Sequence, residues 1–262
     1  MAWRSNVDKH TNQQLDHPNA AWLPALGRCV LCLLPSKRSR DLCVHCEADL
    51  PWLTDHTILP AADDPTAYSR HSLQLSPRAV AAVVTPLAYE RETVWLINQQ
   101  KRPPGRIASR VLAHLLADTI ETTYADRDLP SMVIPVPLHW RRELRRGMNQ
   151  AQVLVHWLTQ RLPIPSHAGL LRRHKPTAKQ SLLGQAERQS NVAGAFRLTP
   201  RARKRIQSQT IAVVDDVLTT GATLNAIAHC LRDAGAADIH LWAPARALLI
   251  NRSLAAKPTT KT

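Results

Sequence analysis

Apolar positions along the 262 residues fall into short continuous runs and wider-spaced stripes that alternate down the chain. The run with the sharpest edges is Ile211-Ala212-Val213-Val214, four apolar residues of which three are β-branched. That pattern predicts a short buried strand. It ends at Asp215-Asp216, and a loop of small and hydroxyl residues follows through Thr219, Thr220, Gly221, Ala222 and Thr223. Leu224, Ile227, Ala228 and Leu231 then recur at helical spacing, with Gly235 as a stop.

The same alternation recurs upstream and downstream. Ala79 to Ala88 reads as a strand region, and Glu92 to Gln100 as a short helix stopped by Pro103-Pro104-Gly105. Ile107, Val111, Leu112, Leu115 and Leu116 form one apolar helical face. Ser131 to Val136 is a strand closed by prolines, Ala151, Leu154, Val155 and Leu158 mark another helix, and Asp238 to Ala243 is a last strand. Strands alternating with helices predict an α/β fold, a parallel sheet flanked by helices.

The first quarter of the chain breaks this rhythm. Residues 1–20 are polar, without the apolar core of a secretory signal, and residues 1–25 read as a disordered leader. Residues 26–55 carry Cys29-Val30-Leu31-Cys32 and Cys43-Val44-His45-Cys46. Each C-x-x-C places two thiolates on one turn, and two such knuckles complete a four-thiolate shell suited to structural zinc. The loop between them, Pro35 to Arg40, is polar, so the metal is expected to act as this module's core, worth roughly 10 kcal/mol or more of folding free energy. Residues 56–77 read as a linker, 78–250 as the α/β domain, and 251–262 as a basic tail.

Charge narrows the partners. Lys and Arg total 34 against 20 Asp and Glu, a formal charge of +14, which fits a polyanion. The basic residues cluster at Arg141, Arg142, Arg145 and Arg146, and again from Arg172 to Arg205, where a flap over the ligand loop is expected. With one Phe and three Tyr among the 262 residues, stacking on nucleic-acid bases would fall to the seven Trp or to arginine. No apolar run reaches 18 residues, which argues against a transmembrane helix. Paired knuckles rather than disulfides point to a reducing, cytoplasmic setting.

The strand, acidic pair, Thr/Gly loop and helix together describe a ligand site at the carboxyl end of a strand. Loop amides and the helix N-terminus suit a phosphate, and Gly221 lets backbone approach it. Asp215 and Asp216 would repel that phosphate at contact, but one step away they can accept hydrogen bonds from vicinal hydroxyls. A ribose 5-phosphate meets both demands. The string resembles the fingerprint by which type I phosphoribosyltransferases hold phosphoribosyl pyrophosphate (PRPP).

Further motifs extend the resemblance to about residues 26–248. They are the double C-x-x-C; Pro135-Val136-Pro137 with Arg146-Gly147-Met148-Asn149-Gln150; Arg173, Thr177, Gln180, Leu183, Arg188 and Asn191 ahead of Gly194-Ala195-Phe196; and Val214-Asp215-Asp216 with Thr219 to Thr223. In this order they resemble the ComF/GntX family of competence protein F-like chains. Met148 stands where the family usually has Phe, and Arg102 follows Lys101 where the family commonly has an aromatic.

The resemblance implies a type I phosphoribosyltransferase-like sheet with an N-terminal four-cysteine zinc module. It implies PRPP bound with Mg2+, and a part in single-stranded DNA uptake during natural transformation. Asp215 and Asp216 would take the ribose hydroxyls, Thr219, Thr220, Gly221, Ala222 and Thr223 the 5-phosphate, and Lys101, Arg145 and Arg146 the pyrophosphate. Two other functions are open: active transfer of ribose 5-phosphate to an acceptor, in which Asp215 and Asp216 are the catalytic pair, and an adaptor that docks a competence helicase.

Overall fold

The computed structural model describes residues 27–36, 38, 40–60, 64, 66, 68–71, 73–101, 106–138, 143–144, 147–174 and 194–248. The expected leader and basic tail, the Pro-Pro-Gly stop, the four clustered arginines and residues 175–193 of the expected flap lie outside them. In chain order the strands are β1 (Thr57–Ile58), β2 (Ala82–Val84), β3 (Leu87–Ala88), β4 (Met132–Pro135), β5 (Leu171–Arg173), β6 (Phe196–Leu198), β7 (Thr210–Val214), β8 (Asp238–Trp242) and β9 (Ala245–Arg246). The helices are α1 (Val44–Ala48), α2 (Arg91–Gln99), α3 (Arg106–Thr123), α4 (Gln150–Leu158), α5 (Ala202–Ile206) and α6 (Ala222–Arg232).

β7 is central because nothing in its last four positions needs water. Ile211, Ala212, Val213 and Val214 are fully buried. β7 pairs in parallel with β4 on one side and β8 on the other, Ile211 lying level with Met132 and Ile239. β2 continues the parallel set beyond β8, and β1 closes that edge antiparallel, giving the order β1-β2-β8-β7-β4. This is the expected α/β class, a sheet of parallel strands with one antiparallel edge strand, flanked by helices.

Both faces of the sheet are covered, as a parallel sheet requires. Ile211 and Val213 face one apolar core with Ile134, Leu241 and the α6 residues Leu224, Ile227 and Leu231. Ala212 and Val214 face a second core with Trp242, the α3 residues Val111, Leu112 and Leu116, and Leu154 of α4. Cys29, Leu42 and Leu50 belong to this second core. The cysteine segment therefore has apolar anchorage beyond any metal, which the polar loop between its knuckles did not reveal.

Two stretches differ from the sequence expectation for local reasons. The strand region read at 79–88 is split into β2 and β3, and Pro86, which has no amide to donate, stands between them. β3 then pairs in parallel with β9 instead of continuing the main sheet. The segment read as a linker supplies β1 and the buried side chains of Tyr68, Leu73 and Leu75. The Tyr68 hydroxyl donates to the Val80 carbonyl at 3.1 Å. The alternation of Leu73-Gln74-Leu75 in this segment is too short a run to predict an element. Among the described residues no helix is long and apolar enough to cross a membrane.

His240 on β8 shares a 2.6 Å hydrogen bond with the hydroxyl of Tyr124, just past the end of α3. Burial lowers the imidazole to about 4, Arg127 and Arg232 add to the effect, and Asp238 opposes it. The unfolded chain takes up this proton near the ordinary histidine value and the folded chain only well below it. Stability should fall as pH drops from about 6.5 towards 4, by on the order of 2 kcal/mol. Urea unfolding across that range should show a flatter pH dependence for His240→Gln than for the natural chain.

Candidate functional site

The parallel strands β4, β7 and β8 run the same way, so their carboxyl ends open together at one edge. Asp215 and Asp216 follow β7 there, both partly buried. The Asp216 amide donates to the Asp215 Oδ1 at 2.8 Å, which fixes the pair as a local turn. Burial, then the adjacent Asp216 charge, push the Asp215 carboxyl up to about 8, while the Asp216 amide and the Arg173 guanidinium pull the other way. Arg173, on β5, also lies over the Phe196 ring at 5.4 Å.

The loop after the pair is shaped by its own backbone. Gly221 sits at φ +81° immediately before α6, a left-handed conformation that side chains rarely adopt. A Cβ there would also meet Leu75 Cδ2 at 2.7 Å. The Thr220 hydroxyl receives the Ala222 amide at 3.5 Å, and the Thr220 carbonyl receives the Gln74 amide at 2.7 Å. Thr219 is exposed, Thr220 buried and Thr223 half-buried in the first turn of α6. This eleven-residue helix begins at the loop that follows the acidic pair, with no side chain capping its first turn from Gly221.

Of the cations proposed from sequence, Lys101 is brought to the site. Its Nζ lies 3.8 Å from Asp216 Oδ2, a partly exposed pair whose contribution to stability is small. Arg145 and Arg146 lie outside the described residues. Their neighbour Asn149 plays a structural part. Its side-chain oxygen caps α4 by accepting the Ala151 amide at 3.1 Å, and its nitrogen donates to Val136 O at 3.0 Å. The Gly-Met-Asn-Gln stretch thus ties a strand end to the following helix. Sequence reasoning did not single out Tyr89, whose phenol is raised by burial and by the charge of Asp216. It also passed over Gln74, Leu75 and Ser76, which abut the loop, although the apolar-polar alternation of Leu73-Gln74-Leu75 was the available signal.

Away from this edge, Cys29, Cys32, Cys43 and Cys46 converge, their sulfurs all within 4.8 Å of one another. The Cys32 and Cys43 sulfurs are 3.8 Å apart. Sulfurs at 2.3 Å from a tetrahedral zinc lie about 3.8 Å from each other, so the donor set fits that ion. Burial, then the Cys29 charge, drive Cys46 strongly upward, and burial raises Cys32. Burial opposes ionisation of Cys43 too, but the Cys46 amide and the neighbouring thiols hold it below its ordinary value. Four thiols this close resist ionising together without a cation among them. Ion pairs from Arg40 to Asp118, from Asp41 to Arg110 and from Arg161 to Asp118 surround the junction of this module with α3 and α4.

The chain is 32% identical over 231 residues to DNA utilization protein YhgH of Escherichia coli O157:H7, covering 85% of this chain and 98% of that protein. The chain belongs to the ComF family. It is also 39% identical over 140 residues to Competence protein F of Haemophilus influenzae, which takes in 53% of this chain and 61% of that relative. Competence protein ComFC of Bacillus subtilis is 27% identical over 209 residues, 77% of this chain and 82% of that one. No family model matches the chain. Among solved structures, hypoxanthine phosphoribosyltransferase of Trypanosoma cruzi aligns at TM-score 0.33 and 16% identity, over 52% of this chain and 62% of that one. Phosphoribosylpyrophosphate synthetase of Mycobacterium smegmatis aligns at TM-score 0.31 and 20% identity, over 53% and 34%. At scores this low the fold is read from the sheet itself.

In this ComF-family chain the unfolded state loses the Asp215 proton near pH 4, while the folded state keeps it to about 8. Across that window the folded state holds more protons, so ionisation of Asp215 costs stability as pH rises. Asp215→Asn should therefore be more stable than the natural chain at pH 8.5, by on the order of 2 kcal/mol, with the difference vanishing near pH 4. Thermal melts of both proteins at the two pH values check this.

Proposed function

We propose that this protein binds PRPP with Mg2+ in the cytoplasm and serves single-stranded DNA uptake during natural transformation. The observation that carries the proposal is the acidic pair at the end of β7, followed by a Gly221-centred loop that opens directly onto the N-terminus of α6. Asp215 and Asp216 would accept hydrogen bonds from the ribose hydroxyls. The amides from Thr219 to Thr223, with the threonine hydroxyls, would take the 5-phosphate, the helix end adding its positive partial charge. Lys101, Arg145 and Arg146 would offset the pyrophosphate charge. Mg2+ bound with the ligand would neutralise part of the same charge.

Zinc would be held by Cys29, Cys32, Cys43 and Cys46. A closed shell of four thiolates leaves no open position, so the ion's contribution is to folding. The names of the relatives, competence protein and DNA utilization protein, support the DNA part, and so does the net charge of +14. A basic chain recruits a polyphosphate backbone by counterion release.

A second reading is favoured by Asp215, whose carboxyl holds a proton to about pH 8. A carboxyl whose titration lies this near neutrality can give up its proton when a ligand's cation arrives and take one back from the acceptor. In a transfer reaction the bond from ribose C1 to the pyrophosphate oxygen breaks, a bond from C1 to the acceptor forms, and pyrophosphate leaves with the electron pair. The carboxylates would stabilise the positive charge that develops on the ribose.

Calorimetric titration of PRPP with Mg2+ into the zinc-loaded protein should give saturable binding that an Asp215→Asn/Asp216→Asn variant loses. Equal binding by both proteins, or none by either, defeats the proposal. Affinity for a single-stranded oligonucleotide should fall more than about tenfold between 50 and 200 mM salt; affinity indifferent to salt removes the DNA half. Pyrophosphate release from PRPP in the presence of an acceptor would establish transfer.

A further inference from the structure

The phosphate loop is supported from behind by a segment distant in sequence. Leu75 packs where a Gly221 side chain would have to go, its Cδ2 being 2.7 Å from the position a Cβ would occupy. The Gln74 amide donates to Thr220 O at 2.7 Å, and the Ser76 amide to Asn225 Oδ1 at 2.9 Å. Three consecutive residues thus touch the loop and the first turn of α6.

The opposite flank of the loop is held by β9. Leu218 pairs with Arg246 in a parallel bridge, its amide donating to Ala245 O at 2.9 Å and its carbonyl accepting from Ala247 N at 2.8 Å. Arg246 has no exposed surface. Its Nη2 donates to Asp55 Oδ2 at 2.6 Å, and the same oxygen lies 2.6 Å from His71 Nδ1. Nε and Nη1 of Arg246 have no partner among the described residues. One carboxylate therefore compensates a fully buried guanidinium, and removing it would leave an unpaired charge inside the fold. Burial acts to raise Asp55, but the Arg246 guanidinium outweighs it and holds the carboxyl below the usual carboxylate range.

His71 lies three residues before Gln74 in the segment that runs on from Asp55 to Leu75 and Ser76, and Arg246 belongs to the strand that pairs with Leu218. A single ionic cluster therefore joins the strap on one side of the loop to the strand on the other. We infer that Asp55, Arg246 and His71 form a clamp that sets the shape of the Thr219 to Thr223 loop, and so are positioning residues for the phosphate that loop receives. The phosphate is the part that rests on the function proposed above; the control of loop shape does not depend on it. The strap and β9 both hold the loop that would take the 5-phosphate, so loosening the clamp should weaken ligands that carry that phosphate more than ligands that do not.

The test uses the full zinc-loaded chain and the variants Asp55→Asn, Asp55→Glu and Leu75→Ala. Hydrogen exchange is followed in peptides spanning 217–226 and, as a control, 106–123. Asp55→Asn and Leu75→Ala should speed exchange in the loop peptide about tenfold and leave the α3 peptide unchanged, and Asp55→Glu should recover most of the protection. In parallel, ribose 5-phosphate with Mg2+ and inorganic pyrophosphate are titrated by calorimetry at 15 °C. Ribose 5-phosphate should bind at least fivefold more weakly to Asp55→Asn, with pyrophosphate affinity unchanged.

Unchanged loop exchange in Asp55→Asn overturns the clamp, and so does equal acceleration in both peptides, which marks general destabilisation. If Asp55→Asn does not fold, His71→Gln, which removes the other partner of the same carboxylate oxygen, is read at the same loop, and unchanged exchange there overturns the clamp. If the natural chain binds no ribose 5-phosphate, the phosphoribosyl proposal fails while the exchange data still decide the clamp.

Discussion

A strand buried on both faces cannot carry a polar side chain without stranding it. β7 obeys that constraint along Ile211 to Val214, with alternate residues sealed in two separate cores. Everything chemical must wait until the strand ends, and the first residues past the end are two carboxylates. β4 and β8 pair with it in parallel and so end at the same edge, where side chains far apart in sequence meet. Lys101, Arg173 and Tyr89 are all drawn to the acidic pair although none lies on β7. The site is the place where the fold's demand for apolar residues stops.

The electrostatic character of that place follows from the same burial. Even with Lys101, Arg173 and an amide nearby, two adjacent and partly buried carboxyls cannot both ionise as they would in water, and Asp215 bears the cost. A ligand bringing hydroxyl donors or a cation would relieve it. Destabilised, unliganded groups are a common signature of sites that act on something else.

The sheet was legible because its strands obey a local rule: short β-branched runs between helical stripes. The acidic pair and Thr/Gly loop were legible because their residue types have narrow chemical uses, and the four cysteines because thiols in paired knuckles have few other reasons to occur. What was not legible depended on contacts across long separations. Asp55 and Arg246 are 191 residues apart, and no local pattern links an aspartate in a polar stretch to an arginine near the far end. Leu75 looked like an apolar residue in a loop because its role is defined by the missing Cβ of Gly221. The cysteine segment looked self-contained because the apolar surface that receives Leu42 and Cys29 belongs to other parts of the chain.

That shared surface has a consequence for the order in which the protein is made. The cysteines leave the ribosome well before Arg106–Thr123, the helix that covers Cys29 and Leu42 and receives Arg40 and Asp41 in ion pairs. During that interval the four sulfurs are open to any thiophilic cation at hand. Once the helix arrives, Cys29 is closed from solvent. Cys32, Cys43 and Cys46 keep some exposure in the finished fold, so an ion held there would be reached from their side, and only its bond to Cys29 would wait on movement of the apolar core.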